Sequence, residues 1–147
     1  MKNLLFIVSE DRYFVSHRLY LAKEALNQDY KVALLTKVSH LRNVIESEGI
    51  EIIDWSLTRS SFNPINEIIS IFQIYFAYKS FKPDLVHAVA LKPILYTAVS
   101  SKFYSSVAKV FSVAGLGFIF SSTKLLARIL RPFIALSFRL ALIGKRT

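Results

Sequence analysis

Short apolar segments alternate with amphipathic helical segments along the chain, and this alternation restricts the possible folds more than any other feature of the sequence. Between the apolar segments, apolar residues recur every three or four positions, as they do along one side of a helix. Because strands separated by helices form right-handed βαβ units, the sequence predicts an α/β fold. We expect a single Rossmann-like domain over residues 1–147, with a parallel five-stranded sheet and helices on both faces. The predicted strands are residues 4–8, 31–36, 50–55, 85–90 and 107–113.

Residues that start and stop helices support this assignment. Asp11, Ser39 and Asn63 are predicted N-caps, Pro64 suits a first helical turn, and Gly49 is a predicted C-terminal stop. The helix that Asp11 opens is expected to continue to about residue 26. The helix after Pro64 is predicted to carry one apolar face, the pattern of a helix packed on a sheet. That face comprises residues 65, 68, 69, 72, 75 and 76.

The charge of the chain is concentrated in its second half. The formal net charge is +9, and residues 85–147 contain no Asp or Glu, so the whole excess lies there. Such a surface attracts phosphorylated ligands, acidic lipids or nucleic acid. With 53% apolar residues, no cysteine and three histidines, the chain is not expected to be disordered, disulfide-bonded or metal-binding. No window resembles a signal peptide or a membrane span, so we expect a cytoplasmic protein.

Fold class also predicts where a ligand binds. In a doubly wound sheet the strand order reverses between strands one and four, and ligands occupy the crevice at the carboxyl ends there. Residues 9–14, 90–93 and 114–118 should therefore converge. The glycine pair Gly115 and Gly117 follows the fifth strand, and the loop after the first strand has no glycine. NAD binding is consequently not expected.

The predicted crevice collects polar residues that could bind an anion. Cations together with free N–H groups at helix N-termini suit a phosphate or diphosphate, and a carboxylate or histidine could act on a hydroxyl. The alternative is purely structural, with a helix cap and solvated charges. His87 ends a predicted buried strand, where a lone histidine is more often a core residue than one that lines the site. The candidate residues are Glu10, Asp11, Arg12, Ser16, His17, Arg18, His87 and Lys92.

The last predicted helix, from about residue 121, separates basic from apolar residues. Within about 60° on either side of Lys124 lie further cations, and leucine and isoleucine occupy the opposite arc. This pattern is typical of a helix packed on the sheet with a solvated basic face, or of a helix lying on acidic lipid. Nucleic acid is disfavoured because aromatic residues do not interleave with the cations. The candidate membrane contacts are Lys124, Arg128, Arg131 and Arg139.

Five short segments, in order, give the chain a recognisable pattern. They are residues 4–11 (LLFIVSED), 14–18 (FVSHR), 83–87 (PDLVH), 91–93 (LKP) and 115–118 (GLGF). Together they resemble the N-terminal domain of a bacterial family-4 glycosyltransferase, from the branch that builds lipopolysaccharide, capsule or lipid-linked oligosaccharide. The chain departs from the wider family at Val89 and Ala114, where many members have histidine, and in the glycine-free first loop. No catalytic residue is therefore assigned.

The resemblance implies a GT-B enzyme, in which an N-terminal Rossmann-like domain receives the acceptor and a C-terminal domain holds the nucleotide-sugar donor. It further implies a retaining, metal-independent transfer to a lipid-linked or polysaccharide acceptor, with a UDP-sugar or similar donor. His17, Arg18 and Lys92 would contact the acceptor, and Gly115 and Gly117 would let the backbone approach the sugar. Without the donor domain we expect no activity from this chain alone, and a location at the inner face of the cell membrane.

Two alternatives to this interpretation stay open at the level of sequence. One is a non-catalytic module, from a truncated or split gene, that docks on a membrane or a partner. The other is a different small Rossmann-like enzyme that binds a phosphorylated ligand.

Overall fold

The computed structural model describes residues 1–57, 63–104 and 106–113. In chain order the elements are β1 (Lys2–Glu10), α1 (Asp11–His17), α2 (Leu19–Asn27), β2 (Tyr30–Lys37), α3 (Arg42–Glu46), β3 (Glu51–Asp54), α4 (Pro64–Phe81), β4 (Leu85–Val89), α5 (Leu91–Ser100), a 3₁₀ turn (Ser101–Phe103) and β5 (Ala108–Ser112). The predicted last helix and the loop at residues 114–118 lie outside the described residues.

The five strands form one parallel sheet in the order β3-β2-β1-β4-β5. The predicted α/β class, strand number and reversal between the first and fourth strands are confirmed. Strand β1 is central, with Leu5 aligned to Ala33 on one side and to Val86 on the other. Buried strands of this kind carry apolar residues on both faces, which explains the continuous apolar segment at the start of the chain.

Alternate residues of the strands point to opposite faces of the sheet and form two apolar cores. Leu5, Ile7 and Leu35 face α4 and α5, whereas Phe6, Val8 and Leu34 face α1, α2 and α3. The predicted helices on both faces of the sheet are therefore present. None of the helices in the described part of the chain is both long enough and apolar enough to cross a bilayer.

The predicted starts of two helices are wrong. Asp11 is the first residue of α1, and the N-cap position is held by Glu10 without a side-chain hydrogen bond. Ser39 lies before α3, whose N-cap is Leu41. The carboxylate of Asp11 and the hydroxyl of Ser39 instead bind each other. Local sequence could not show this contact, because 28 residues separate the two in the chain.

The predicted continuous helix to residue 26 is interrupted. Arg18 has φ −132° and ψ −15°, outside the helical region, and it separates α1 from α2. The predictions for Asn63 and Pro64 are correct, whereas Gly49 lies in the turn three residues beyond Glu46, the last residue of α3, whose C-cap is Ser47. The Asn63 side chain accepts a hydrogen bond from the Ile65 N–H at 3.0 Å, with the proline at the first helical position. Gly49 has φ +83°, a conformation that costs glycine little.

The apolar face predicted for α4 is wrong in its direction. The helix buries Ile74, Ala77, Tyr78 and Phe81 against the sheet together with Ser70, and most of the predicted face points outward. Both sides of α4 are apolar, so periodicity cannot choose between them. The buried side combines the small residues Ser70 and Ala77 with the larger Ile74, Tyr78 and Phe81. The predicted residues that are exposed are Ile65, Ile68, Ile69, Phe72 and Phe76.

Candidate functional site

The adjacent carboxyl ends of β1 and β4 form the centre of the predicted site. Val8 is aligned with Val89, and each strand turns almost at once into a helix. Ala90 makes the second turn with φ +74°, a left-handed conformation that strains a residue with a Cβ atom. Its N–H donates to the Ser112 carbonyl at 3.0 Å and its carbonyl accepts from the Ile94 N–H at 3.1 Å. Ala90 thus ties the end of β5 to the first turn of α5.

The Asp11 carboxylate is the most heavily hydrogen-bonded group at this edge. It accepts from the N–H of Ser39 at 2.7 Å, from the Ser39 hydroxyl at 2.8 Å and from the N–H of Arg12 at 2.7 Å. Burial by itself would raise the pKa of Asp11, but these hydrogen bonds, with a weaker one from the Leu41 N–H, outweigh it and hold the pKa below its usual range. Asp11 therefore stays ionised and fixes the loops that follow β1 and β2.

A cleft of about 250 Å³ lies beside this carboxylate. Glu10, Arg12 and Lys37 supply charged side chains of both signs at its walls, and Val38 and Ser39 complete the lining with Asp11. Because the Asp11 charge is already compensated by hydrogen bonds, the two cations are the groups that can meet an anion entering the cleft.

His17 ends α1 with a hydrogen-bonded and stacked ring. Its Nδ1 lies 2.6 Å from the Ser16 hydroxyl, which lies 3.0 Å from the Arg12 carbonyl, and the ring stacks on Tyr13 at 4.4 Å between centroids. When the hydroxyl donates to the carbonyl, it accepts from Nδ1–H, and Nε2 then carries the lone pair. The exposed ring can therefore accept a hydrogen bond from a ligand hydroxyl.

His87 and Arg18 lie deeper, on the face covered by α2. His87 is the middle residue of β4, where its ring contacts Phe6 at 5.2 Å and its Nε2 lies 2.7 Å from the Ser112 hydroxyl. Burial, reinforced by the positive charge of Arg18, lowers the pKa of His87. Within the described residues, the buried Nε of Arg18 has no hydrogen-bond partner, while its Nη1 donates to the His17 carbonyl at 2.9 Å. These contacts resemble those of a core histidine.

Lys92 lies in the first turn of α5 and is paired with Glu67 of α4, with 2.9 Å between Nζ and Oε1. Both side chains are largely shielded from solvent. The pair holds the ammonium at the start of α5, where the helix N-terminus also favours anions. Sequence inspection found Lys92 but missed Glu67, since periodicity does not show which side of α4 meets α5.

The candidate residues therefore fall into three groups at or near the crevice. The first group, Asp11 and His17, follows β1, and the second, Lys92, follows β4. The third group, His87 and Arg18, lies closer to the middle of the sheet, on the face covered by α2. Sequence reasoning missed Ser39 and Ser112 as partners of these groups. Only their place in the sequence could have indicated this role: Ser39 follows the end of β2 and Ser112 is the last residue of β5, and both strands pair with a strand that carries or precedes a candidate residue. Gly115, Gly117, Lys124, Arg128, Arg131 and Arg139 lie outside the described residues.

Solved structures with a similar fold share little sequence with the chain. MurG of Acinetobacter baumannii matches with a TM-score of 0.61 at 14% identity, over 76% of this chain and 34% of that one. The glycosyltransferase SnogD from Streptomyces nogalater matches with 0.58 at 17% identity, over 100% and 41%. The UDP-GlcNAc 2-epimerase from Neisseria meningitidis, bound to UDP-GlcNAc, matches with 0.57 at 12% identity, over 90% and 38%.

The chain spans between about a third and two fifths of the length of these proteins. The likeness confirms a Rossmann-like domain of the kind that forms the N-terminal half of GT-B glycosyltransferases. No curated protein matches the sequence. The sequence model of one family, described as glycosyl transferase 4-like, matches residues 3–142, which is nearly the whole chain. The chain therefore belongs to the glycosyl transferase 4-like family, as its sequence motifs indicate.

Proposed function

We propose that the chain is the acceptor-binding half of a retaining glycosyltransferase that moves a sugar from a nucleotide-sugar to a lipid-linked or cell-surface polysaccharide acceptor. The observation that carries this proposal is the crevice between the carboxyl ends of β1 and β4, where α1 and α5 begin and carry Arg12 and Lys92 in their first turns. In open α/β sheets this switch point is where ligands bind. Membership of the glycosyl transferase 4-like family supplies the reaction class.

The acceptor contacts follow from the geometry of the crevice. A diphosphate linking sugar to lipid would be attracted by Arg12, by Lys92 and by the N-terminus of α5. The exposed His17 ring would accept a hydrogen bond from a sugar hydroxyl through Nε2. Arg18 and the glycines Gly115 and Gly117 complete the proposed acceptor contacts. No residue is proposed as the catalytic base.

The donor and the location complete the proposal. A second Rossmann-like domain would bind the nucleotide-sugar, the transfer would need no metal, and this chain alone would be inactive. A lipid-linked acceptor would place the chain at the membrane, and we propose the cytoplasmic face, where the nucleotide-sugar would be available. The basic residues Lys124, Arg128, Arg131 and Arg139 would meet anionic lipid there, each contributing about 1 kcal/mol.

A transfer assay tests the proposal. The chain is joined to a family donor-binding domain, and labelled sugar is followed from a panel of nucleotide-sugars to polyprenyl-diphosphate-sugars. We expect His17→Ala and Lys92→Ala each to raise the KM for the acceptor about tenfold or more and to leave the KM for the donor unchanged. Lys2→Ala is the control, since Lys2 is an exposed cation at the first residue of β1, the opposite end of the strand from the crevice. Turnover that neither crevice variant alters would refute the proposal.

A second candidate is an enzyme of the same fold that acts on a nucleotide-sugar without transferring the sugar to an acceptor. The fold likeness to a UDP-GlcNAc 2-epimerase favours it. In the same assay it would convert or cleave the nucleotide-sugar equally well with and without the lipid-linked acceptor.

A further inference from the structure

Helix α4 carries an apolar stripe that no other described part of the chain covers. Five large side chains recur at helical spacing along its outward side, and each is between 45% and 66% exposed. The opposite side is already buried against the sheet. A helix that is apolar all round normally has a partner on every side. We call this stripe the α4 outer face; it consists of Ile65, Ile68, Ile69, Phe72 and Phe76.

The apolar surface continues from α4 onto the end of α5. The Tyr75 ring, on the flank of the stripe, contacts the rings of Phe103 at 5.9 Å and Tyr104 at 5.6 Å. Phe103 is 74% exposed, and Val99, one turn earlier, is 47% exposed. Isolated exposed apolar residues are ordinary, but a contiguous surface of this size marks an interaction site.

Among the described residues at the border of this surface, the charged side chains without an ion-pair partner are positive. Lys79 continues the stripe two turns beyond Phe72, and Lys102 is exposed beside Phe103. The bordering acids are already paired: Glu67 binds Lys92, and both carboxylate oxygens of Asp54 accept from Arg42 at 2.7 Å. The sequence between these two acids contains no acid and one cation, Arg59. An apolar stripe with a cationic border is complementary to an anionic lipid surface.

We propose that the α4 outer face is the surface by which the protein lies on an anionic bilayer, with Phe72 and Phe76 inserted at the level of the acyl chains. Lys79 and Lys102 would then lie among the headgroups. This inference rests on the membrane location in the proposed function and adds to it a surface separate from the basic residues near the C-terminus. A second copy of the chain is a poorer partner, because pairing two such faces would bring together borders of the same charge.

The position of α4 connects this surface to the crevice. Helix α4 begins after β3, at the carboxyl edge of the sheet, and its first turns are joined to α5 by the Glu67–Lys92 pair. A bilayer against Ile65 and Ile68 would therefore lie at the same end of the domain as the proposed acceptor contacts. A lipid-linked sugar diphosphate could reach those contacts without leaving the membrane.

Co-sedimentation of the full chain with vesicles tests the inference. The vesicles contain phosphatidylcholine alone or mixed with phosphatidylglycerol. The Phe72→Ser/Phe76→Ser double variant loses two inserted aromatic rings. Its partition coefficient for the anionic vesicles should therefore be at least about tenfold lower than that of the parent chain. Lys79→Glu/Lys102→Glu should weaken binding to the anionic vesicles only. Tyr20→Ser is the matched control, because Tyr20 is 70% exposed on α2 and lies away from the stripe; its binding should stay within twofold.

A fluorescence measurement tests the same surface without a variant that must lose vesicle binding. The chain has no cysteine, so a single Ile69→Cys variant can carry an environment-sensitive fluorophore, with Tyr20→Cys as the control. Anionic vesicles should shift the emission of the label at position 69 to the blue and leave that at position 20 unchanged.

Three results would overturn the inference. The first is a parent chain that does not bind anionic vesicles, and the second is a Phe72→Ser/Phe76→Ser variant that binds them as the parent does. The third is a dimer in solution that this variant dissociates while vesicle binding persists. If only Lys124→Glu/Arg128→Glu abolishes binding, the α4 inference fails and the proposed membrane location stands. Transfer to a detergent-solubilised acceptor tests the proposed activity independently of both.

Discussion

The Asp11 carboxylate and Ser39 join the ends of the adjacent strands β1 and β2: one carboxylate oxygen accepts from the Ser39 N–H at 2.7 Å and the other from its hydroxyl at 2.8 Å. Two further N–H groups, of Arg12 and Leu41, point at the same carboxylate. A single acid therefore holds the first loop of the crevice against the loop after β2, and the geometry of the cleft depends on its charge.

We predict that Asp11→Asn destabilises the fold by about 2 kcal/mol, because an amide can accept these hydrogen bonds through only one oxygen. The pKa of Asp11 is lowered in the folded state, so its charge stabilises the fold at pH values above the ordinary pKa of 3.8. That contribution is lost as the pH falls through the folded-state pKa. Urea unfolding of both proteins should therefore give a difference that is constant near neutral pH and shrinks below about pH 4. Asp29→Asn, on the exposed turn before β2, is the control and should change the free energy of unfolding little near neutral pH.

His87 should make the stability of the fold depend on pH in a different range. Burial, with the Arg18 charge, lowers the pKa of His87, so its neutral form stabilises the fold fully above the ordinary value of 6.5, and this contribution falls as the pH drops below it. The thermal midpoint should decrease between about pH 7.5 and 5.5, and His87→Gln should flatten that decrease. An unchanged pH profile in His87→Gln, with His40→Gln as the reference, would contradict the buried neutral assignment.

Ala90 stores backbone strain at the turn between β4 and α5. Its φ of +74° costs a residue with a Cβ about 1–2 kcal/mol, whereas glycine adopts it freely. Since glycine also has more freedom in the unfolded chain, we expect Ala90→Gly to stabilise the fold by about 0.5 kcal/mol net. Ala88→Gly, within the buried strand, should destabilise it by about 1 kcal/mol or more. Denaturant midpoints of the two variants should therefore move in opposite directions.

The Lys92–Glu67 pair should couple α5 to α4 more strongly than a surface pair couples its helices. Its side chains are 18% and 23% exposed, against 50% and 32% for Lys23–Glu48. Double-mutant cycles to alanine should give a coupling of about 1 kcal/mol for the first pair and about 0.3 kcal/mol for the second. Equal couplings would mean that the pair at the crevice is no better shielded from solvent than the surface pair.

The elements of the fold could be predicted because their signals are local. The apolar segments mark all five strands, and the βαβ rule fixes a parallel sheet without knowledge of any contact. Asn63 and Pro64 start α4 as predicted because capping acts within a few residues. Family membership was also predictable, since the five motif segments span the chain in order.

The details of the site required contacts between distant residues. Periodicity does not show that Arg18 separates α1 from α2. Nor does it show the two pairs that join distant segments, Asp11–Ser39 and Glu67–Lys92. Helix α4 illustrates the limit best. Its two apolar sides are equivalent in pattern, and contacts with the sheet and α5, which the pattern does not show, bury the side of Ile74 and Ala77.

The binding preference of the chain alone shows whether the crevice between β1 and β4 receives a lipid-linked acceptor. Affinities are measured in detergent micelles for a polyprenyl-diphosphate-sugar and, separately, for nucleotide-sugars. We predict that the chain binds the lipid-linked sugar at least about tenfold more tightly and that His17→Ala/Lys92→Ala removes this preference. Tighter binding of a nucleotide-sugar, or acceptor binding that the double variant leaves unchanged, would contradict the account.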